Sequence, residues 1–327
     1  MTVFHWIAGT ILALVWISRV IDAALGMRKV PDTSQPEWDL KLELHPRLSI
    51  IVPARNEEHG IAETLACLLA LDYENYEIIA VDDRSTDQTG KIIDEIAANP
   101  KSQGRLKAIH IDTLPSGWIG KTHAMWSAAR RATGDWLLFT DADVLFRPDS
   151  LRRAIACAEK MSADHLVLVP TLVMHGPGER MMIAFFQTLF VFAHRPWKVA
   201  DPAARDHMGV GAFNLVRREA YEGIGTYQAL RMDVLDDMKL GKVIKNRGYA
   251  QRSVLGPGLV SVRWAKGASG VVRNLTKNVF ALLSFQWLRV MLGVIGLVYF
   301  NLLPFVGVVF ARGRARLPYS LALAAIF

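Results

Sequence analysis

Short apolar runs alternate with amphipathic segments through the middle of the chain. Runs rich in β-branched residues predict five strands, at residues 48–53, 76–83, 106–112, 136–143 and 165–170. The segments between them repeat their apolar residues with a helical period and predict four helices, at residues 58–71, 87–98, 121–132 and 149–160. Ser85 or Asp87, and Asp149, are predicted N-caps. Strands that alternate with helices favour an α/β fold with a mostly parallel sheet.

The N-terminal segment is long and apolar. Residues 3–25 can cross the ~30 Å hydrocarbon core of a bilayer if the Arg19 side chain extends toward the headgroups. The positive residues, Arg19, Arg28 and Lys29, come late in this run or after it, whereas a cleaved signal peptide carries them before its apolar stretch. Residues 1–29 are therefore a predicted membrane anchor, and the charge order places the following domain in the cytoplasm.

The C-terminal segment predicts a second span at residues 290–310. Arg289 precedes the run and three arginines follow it, so the charge rule does not decide its topology. Asn301 and Pro304 leave open a re-entrant hairpin in place of a span. A third apolar stretch then reaches the end of the chain and is too short to span. The C-terminal transmembrane region, residues 290–327, is therefore expected to be incomplete.

Two further segments predict contact with a membrane surface. Residues 181–193 are apolar, too short to span, and flanked by basic and aromatic residues. They predict an interfacial helix, with a helix buried in the domain core as the alternative. Residues 266–289 form an amphipathic segment that carries Arg273 and Lys277 and could rest on anionic headgroups, with the same alternative.

Composition favours a membrane protein over a soluble or disordered one. The chain has 327 residues, 51% of them hydrophobic, and 38 Lys and Arg against 31 Asp and Glu leave a charge of +7. No basic run is interleaved with aromatic residues, so we predict no nucleic-acid partner; anionic lipid or a phosphate-bearing substrate suits the charge better. Cys67 and Cys157 lack metal-ligand spacing, which argues against a disulfide framework or structural zinc. No feature indicates a protein partner.

Charged residues follow three of the predicted strands. PARNEE follows the first, Asp82 and Asp83 end the second, and Asp141 and Asp143 end the fourth. Ligands bind at the carboxyl ends of parallel strands, so these residues predict a site. The pair in Asp141-Ala-Asp143 could hold Mg²⁺ or Mn²⁺ against a diphosphate, or form a surface turn. Asp82 and Asp83 could accept hydrogen bonds from N–H or hydroxyl groups of a nucleoside, or the segment could cap a helix.

Two later segments carry further candidate chemistry. Lys121, in GWIGKTHA, begins a predicted helix and suits an anionic phosphate, although the spacing is not that of a P-loop. Asp236 and Asp237 are adjacent carboxylates. A carboxylate beside another carboxylate has a raised pKa, which suits proton abstraction. An acidic helix N-terminus is the alternative.

Six motifs together resemble the family 2 glycosyltransferases, which have the Rossmann-like GT-A fold. In order they are PARNEE at 53–58, VDDRSTDQT at 81–89, GKTHA at 120–124, TDADV at 140–144, LDDMKLG at 235–241 and VRW at 262–264. The resemblance covers about residues 47–285 and is nearest to membrane-bound bacterial lipid glycosyltransferases of the hopanoid-associated or ceramide-glucosylating kind. It implies a GT-A catalytic domain at residues 47–265 with transmembrane helices on both sides.

The resemblance implies roles for single residues on the donor side. The nucleotide pocket would be lined by Pro53, Ala54 and Glu57. Asp83 would recognise the base, and Lys121 would contact the anionic donor. Asp141 would contact the ribose or the donor sugar and, with Asp143, would face a Mg²⁺ or Mn²⁺ ion on the diphosphate.

On the acceptor side, the resemblance implies that Asp237 is the general base. Asp236 stands where the family has Glu, which shortens that side chain by one methylene and leaves the base itself intact. Arg263 and Trp264 match the end of the family's Gln-x-x-Arg-Trp motif, with Val260 in place of Gln. Arg263 would balance the negative charge of the diphosphate, and Trp264 would stack on a sugar or acceptor ring. An extended Arg and an interfacial Trp at the membrane are the alternative.

These implications define the expected function. We expect an inverting, metal-dependent transfer of a sugar from a UDP-linked donor to a lipid hydroxyl. The enzyme would be multi-pass in the bacterial inner membrane, with a cytoplasmic catalytic domain. Inversion is expected because one candidate base is present and no second carboxylate nucleophile is evident. A nucleotidyltransferase of similar fold and a non-catalytic nucleotide-binding membrane protein remain as alternatives.

Overall fold

The computed structural model describes residues 2–40 and 45–326. It contains two compact units. The helical unit comprises Met1–Lys29, Phe186–Arg195 and Val272–Phe327. The α/β unit comprises Val30–Phe185 and Pro196–Val271.

Within the described residues of the α/β unit, ten strands form two sheets. The strands are β1 Leu48–Ala54, β2 Tyr76–Asp83, β3 Leu106–Ile111, β4 Trp136–Phe139, β5 Val144–Phe146, β6 His165–Val169, β7 Thr171–Leu172, β8 Asn214–Arg217, β9 Gln251–Leu255 and β10 Val260–Val262. The main sheet has the order β3-β2-β1-β4-β8-β6-β9, and the small sheet has the order β5-β10-β7. In the main sheet only β8 runs antiparallel to its neighbours. The predicted α/β class with a mostly parallel sheet is therefore confirmed.

Helices cover both faces of the main sheet. The helices of the chain are α1 Thr2–Met27, α2 Ile61–Leu69, α3 Thr89–Ala98, α4 Gly120–Ala129, α5 Ser150–Lys160, α6 Pro177–His194, α7 Arg218–Gly223, α8 Asp236–Asn246, α9 Gly267–Leu282, α10 Trp287–Phe310 and α11 Leu317–Ile326. Side chains alternate across β1, so Ile50 joins the core under α2 and α5 while Ile51 joins the core under α4 and α8. Every residue of β1 is buried, as expected for a strand covered on both faces.

The fourth strand is shorter than predicted. β4 ends at Phe139, and residues 140–143 lie outside any strand. The N–H of Thr140 still donates to Ile51 of β1 at 3.1 Å, and its hydroxyl donates to the Ala212 carbonyl at 2.8 Å. The chain then enters β5 of the small sheet. Asp141 and Asp143 therefore occupy a connection between two sheets, which frees both carboxylates from strand geometry.

Of the predicted helix caps, the one at α3 was wrong and the one at α5 is confirmed in position. The N-cap position of α3 is Gln88, while the Asp87 carboxylate accepts the N–H groups of Thr89 and Glu58. Asp149 does occupy the N-cap position of α5, but its side chain makes no capping bond. Its two oxygens instead pair with Arg147 and Arg153. Short carboxylates in these loops bind the nearest strong donors, which are guanidinium groups or turn N–H groups.

The helical unit contains both predicted apolar spans. Val3–Met27 and Trp287–Phe310 are long and apolar enough to cross a membrane. α10 is continuous through Pro304, so the re-entrant hairpin left open by the sequence is not formed. The Asn301 amide donates to the Leu297 carbonyl one turn earlier, at 2.8 Å, and so does not interrupt the helix. α11 packs on α1 through Tyr319, whose fully buried ring lies against Gly9 and Gly307.

A buried carboxylate fixes the loop that leads into β4. Glu77, 4% exposed on β2, accepts the Ser49 hydroxyl at 2.7 Å and both the N–H and hydroxyl of Thr133, at 2.7 and 2.6 Å. Lys107 lies 2.6 Å from its other oxygen. Desolvation raises the pKa of Glu77, but the hydrogen bonds from Lys107, Thr133 and Ser49 outweigh this effect and lower the pKa to about 2.

This network predicts an acid-dependent contribution to stability. The pKa of Glu77 lies below the unfolded value of about 4.3, so its stabilisation is complete above that pH and is lost as the pH falls toward 2. The shift corresponds to something on the order of 3 kcal/mol. We expect Glu77→Gln to lower the free energy of unfolding at pH 7 and to converge on the wild type in acid. Denaturant titrations at pH 7, 4 and 3 test this, and a gap that does not narrow contradicts it.

Candidate functional site

The first two strands bring two of the motifs together. β1 and β2 are parallel, with Pro53 opposite Val81 and Ala54 opposite Asp82. PARNEE and the pair Asp82-Asp83 therefore leave the sheet side by side at its carboxyl edge. The two loops are also bonded to each other, since the N–H of Glu57 donates to the Thr89 hydroxyl at 2.8 Å.

Asp83 is held by its own neighbour. This carboxylate is 3% exposed, and Arg84 donates to both of its oxygens, at 2.8 and 3.0 Å. Arg84 adopts a left-handed backbone conformation, φ 56°, which a non-glycine residue rarely takes. Gly120 packs so closely on this pair that a Cβ there would overlap both side chains. Arg84 was missed by the sequence reasoning, although it directly follows Asp83 in the motif.

Lys121 joins two of the predicted carboxylates. Its Nζ lies 2.6 Å from Asp141 and 3.8 Å from Asp236. Desolvation lowers the pKa of Lys121, but the surrounding carboxylates, Asp141 first, raise it well above its ordinary value, so the ammonium stays charged. The sequence predicted a phosphate contact for this side chain. In the structure its partners are instead acidic, and it is the cation at the centre of an acidic cluster.

Asp236 and Asp237 lie in the first turn of α8. Asp236 is 5% exposed, and its Oδ2 has no hydrogen-bond partner within the described residues. Asp237 is partly exposed and accepts the N–H of Met238 at 2.7 Å. Desolvation raises the pKa of both carboxyl groups, and the Lys121 ammonium opposes that rise. The helix N-terminus left open as an alternative is thus present, and the carboxylates face a lysine there.

A glycine-rich segment that the sequence reasoning left without a catalytic role supports this turn. The backbone N–H of Gly211 donates to Asp237, and Gly211 also packs against the Asp141 carboxylate. Gly209 lies on the backbone carbonyl of Asp237, where a Cβ would overlap it. Two glycines spaced two apart in GVGAF were the available signal, because only glycine permits so close an approach of backbone.

Buried polar side chains hold the glycine-rich segment in place. The Gln251 amide accepts the N–H of Met208 at 3.0 Å and donates to its carbonyl at 3.1 Å. The same amide contacts His165 at 2.7 Å, and His165 in turn contacts Asn214 at 3.1 Å. Burial lowers the pKa of His165 to about 4, so the ring is neutral and can accept from Gln251 while donating to Asn214.

Asp143 and Glu57 belong to the same electrostatic field. Desolvation and then the charge of Asp141 raise the pKa of Asp143. Desolvation, followed by Asp143 and Asp141, raises the pKa of Glu57, and Lys266 opposes both shifts. Within residues 2–40 and 45–326, no three metal-ligating side chains converge as a complete ligand set. The like charges nevertheless make this a region that would attract a cation.

The small sheet places the last motif near Asp143. Val262 of β10 lies opposite Val144 of β5, so Arg263 and Asp143 leave this antiparallel pair at the same end. Arg263 is exposed, and Trp264 is partly buried. The register thus brings a cationic and an aromatic residue toward the acidic edge of the site.

Comparison with known proteins supports the motif pattern. Residues 49–225, slightly more than half of the chain, match the family described as Glycosyl transferase family 2. The 4,4'-diaponeurosporenoate glycosyltransferase of Staphylococcus haemolyticus (strain JCSC1435) is 24% identical over 71% of this chain and 60% of its own length. The protein of the same name from Staphylococcus aureus (strain USA300) is 23% identical over 72% and 61%. The chain therefore spans about three fifths of these relatives.

A solved structure has a similar fold. The mannosyltransferase PcManGT from Pyrobaculum calidifontis, in complex with GDP-Man and Mn²⁺, is 21% identical, with a TM-score of 0.57. The match covers 97% of this chain and 86% of the other. The GT-A form of the α/β fold expected from the motifs is thereby confirmed.

The close contact at Gly209 gives a test of how the site is supported. Gly209→Ala places a methyl group on the backbone carbonyl of Asp237, which cannot move aside as a flexible side chain would. We expect a loss of about 1–3 kcal/mol of stability, typical of overpacking a buried position. Gly176→Ala is the matched control, since its Cβ would meet nothing within 4 Å. Equal unfolding midpoints for the two variants would show that this contact is not tight.

Proposed function

Because the chain belongs to glycosyltransferase family 2, we propose that it transfers a sugar from a UDP-linked donor to a lipid hydroxyl at the cytoplasmic face of a membrane. The observation that carries this proposal is the cluster in which Lys121 meets Asp141 and Asp236 at the carboxyl edge of the sheet. The ammonium of Lys121 is suited to receive an anionic donor at this edge, and a carboxylate beside it is suited to deprotonate an acceptor.

The nucleotide is proposed to bind over β1 and β2. Pro53 and Ala54 lie in register with the second strand, and Glu57 is tied to the loop that follows it. Asp83 is the proposed contact for the base. Since Arg84 occupies both of its oxygens, this guanidinium must share the carboxylate with an incoming base or release it.

The residues present fit a divalent cation on the donor diphosphate. Mg²⁺ and Mn²⁺ are commonly held by one or two carboxylates together with substrate phosphates and water, so a complete protein ligand set is not needed. Asp143 is the proposed ligand, with Asp141 beside it, because Asp141 and Glu57 surround it with negative charge. When bound, the ion would neutralise charge on the departing diphosphate. Arg263, at the same end of the small sheet, is proposed to assist from the other side.

Asp237 is the proposed general base. It removes the proton of the acceptor hydroxyl while that oxygen forms a bond to the anomeric carbon and the bond from this carbon to the diphosphate oxygen breaks. A single displacement of this kind inverts the anomeric configuration. The raised pKa of Asp237 makes it a stronger base than an ordinary carboxylate, and the Gly211 N–H orients it. Asp236, buried against Lys121, tunes its neighbour.

The membrane placement rests on the two apolar helices and on α6. Met181 and Phe185 are 73% and 51% exposed, so this face of α6 is not part of a protein core. Exposed apolar side chains of this size suit the interfacial helix expected at residues 181–193. The names of the diaponeurosporenoate relatives are consistent with an apolar acceptor. Trp264 is proposed to stack on the sugar or on the acceptor.

The decisive experiment offers the detergent-solubilised protein a panel of nucleotide sugars and a total lipid extract, with mass spectrometry of the products. A glycosylated lipid together with the free nucleoside diphosphate is expected. Release of pyrophosphate would instead indicate a nucleotidyltransferase, and the absence of any product with every donor would favour a non-catalytic nucleotide-binding protein.

The base assignment predicts a separation of chemistry from binding. Asp237→Asn keeps the size of the side chain and removes its basicity, so donor affinity should survive while transfer falls by roughly 10²–10⁴. Asp236→Asn should cost less. Donor affinity and single-turnover transfer are measured for both variants. An Asp237→Asn enzyme with a wild-type rate of transfer would remove the assignment.

The metal assignment predicts that Asp143→Ala abolishes the dependence of donor binding on Mg²⁺ or Mn²⁺, because the proposed carboxylate ligand is lost. UDP is titrated by calorimetry with metal and with EDTA. Glu58→Ala is the matched control, since it removes a nearby carboxylate whose partners are His59 and the backbone of Gln88. Wild-type protein that binds UDP equally with and without metal would refute the metal role.

The proposed topology predicts that the α/β unit is inaccessible from outside the cell. Lys101→Cys, at an exposed position in a short 3-10 helix, should react with a membrane-impermeant thiol reagent only after the cells are permeabilised. The two native cysteines are replaced by alanine in this experiment. Labelling of intact cells would place the unit, and with it the donor site, on the opposite face.

A further inference from the structure

The helical unit contains a cavity of about 350 Å³. Its walls come from α1, from α10 and from the C-terminal part of α6, and they include Trp16, Arg19, Phe192, Gly293 and Gly296. The lining is almost entirely apolar, with Arg19 as its charged residue. All of these residues belong to the helical unit.

Two glycines of α10 leave this space open. A Cβ on Gly296 would meet nothing within 4 Å, and one on Gly293 would only touch Leu283 at 3.9 Å. Helix packing therefore does not require glycine at these two positions. It does require glycine at position 307, where a Cβ would overlap the Tyr319 ring. The two glycines act as the floor of a cavity rather than as contacts between helices.

The wall opposite the glycines is fixed in position. The Trp16 indole N–H donates to the backbone carbonyl of Phe300 at 3.0 Å. The same indole lies edge-on to Phe192, with ring centroids 6.0 Å apart. These contacts join α1 to α10 and to the end of α6, so the cavity is formed before any ligand enters.

The position and chemistry of the cavity indicate its occupant. Two of its walls are the helices that are long and apolar enough to cross a membrane, so the cavity lies at the depth of hydrocarbon. An apolar cavity does not hold water well and takes an apolar ligand. Arg19 lies eight residues before the end of α1, about 12 Å along the helix, and so in the half of the span nearer to Arg28 and Lys29.

We propose that this cavity binds one hydrocarbon chain of an anionic lipid, whose head lies against Arg19. An arginine within an apolar span is costly unless it meets an anion or water, which gives the charged wall a reason to face this cavity. The proposal takes the membrane placement from the proposed function, and it goes beyond that function because it assigns a lipid site that does not depend on sugar transfer.

Photolabelling tests the site with defined probes. The full-length protein, in phosphatidylcholine nanodiscs, receives either phosphatidic acid or phosphatidylcholine with a diazirine on one chain, and labelled peptides are mapped by mass spectrometry. We expect phosphatidic acid to label the segments of α1, α6 and α10 that line the cavity, and phosphatidylcholine to label them less. Arg19→Gln should remove this preference for the anionic probe.

Filling the cavity tests whether the lipid probe binds inside it. Gly293→Leu with Gly296→Leu should reduce labelling about tenfold, equivalent to ~1.4 kcal/mol of binding free energy. Val294→Leu with Val298→Leu, at exposed positions on the same helix, should leave it unchanged. If the double glycine variant fails to fold, Gly296→Ala still narrows the cavity where nothing obstructs the new methyl group.

Three results would overturn the proposal. They are equal labelling by the two probes, label spread evenly over the exposed face of α10, and undiminished labelling of a folded cavity-filling variant. None of these measurements requires sugar transfer. The lipid site and the proposed activity can therefore fail independently of each other.

Discussion

The candidate site depends on one cation among several carboxylates. Lys121 lies 2.6 Å from Asp141 and 3.8 Å from Asp236, and the charge of Asp237 acts on it as well. Carboxylates gathered in a desolvated site repel one another and would take up protons. The ammonium opposes this uptake of protons and attracts the carboxylates to one another. Asp236 is buried, so removal of Lys121 would leave the charge of that carboxylate without compensation.

The remaining geometry of the site follows from backbone that approaches these groups closely. Gly120 lies on the pair formed by Asp83 and Arg84, Gly211 lies on Asp141, and Gly209 lies on the backbone of Asp237. Each approach needs a residue without a Cβ. The site is therefore assembled from main chain packed against carboxylates, and the buried amide of Gln251 holds the glycine-rich segment in place.

The two units are stabilised in different ways. The α/β unit is stabilised by two apolar cores, one on each face of a mostly parallel sheet. The helical unit has only a small core around Tyr319, while most of the large side chains of α10 are exposed. Such a surface is unfavourable in water and favourable in hydrocarbon. This contrast agrees with the proposed arrangement of a catalytic unit with an attached membrane unit.

Features that depend on local sequence pattern were predicted correctly. Hydrophobic periodicity is a property of neighbouring residues, so the α/β alternation and the two long apolar helices were predicted correctly, and the ordered motifs identified the family. The end of β4 was placed wrongly: the strand ends at Phe139, and the chain continues into β5 of the small sheet. β8, the one antiparallel strand of the main sheet, was also missed.

The contacts among the charged groups could not be predicted from the sequence. The sequence placed Lys121, Asp141 and Asp236 on three separate segments and offered a phosphate as the partner of the lysine. The order of the strands brings these segments to one edge of the sheet, where the lysine pairs with two acidic side chains. Ion pairs between distant residues depend on the packing of whole elements, and no local pattern of residues specifies that packing.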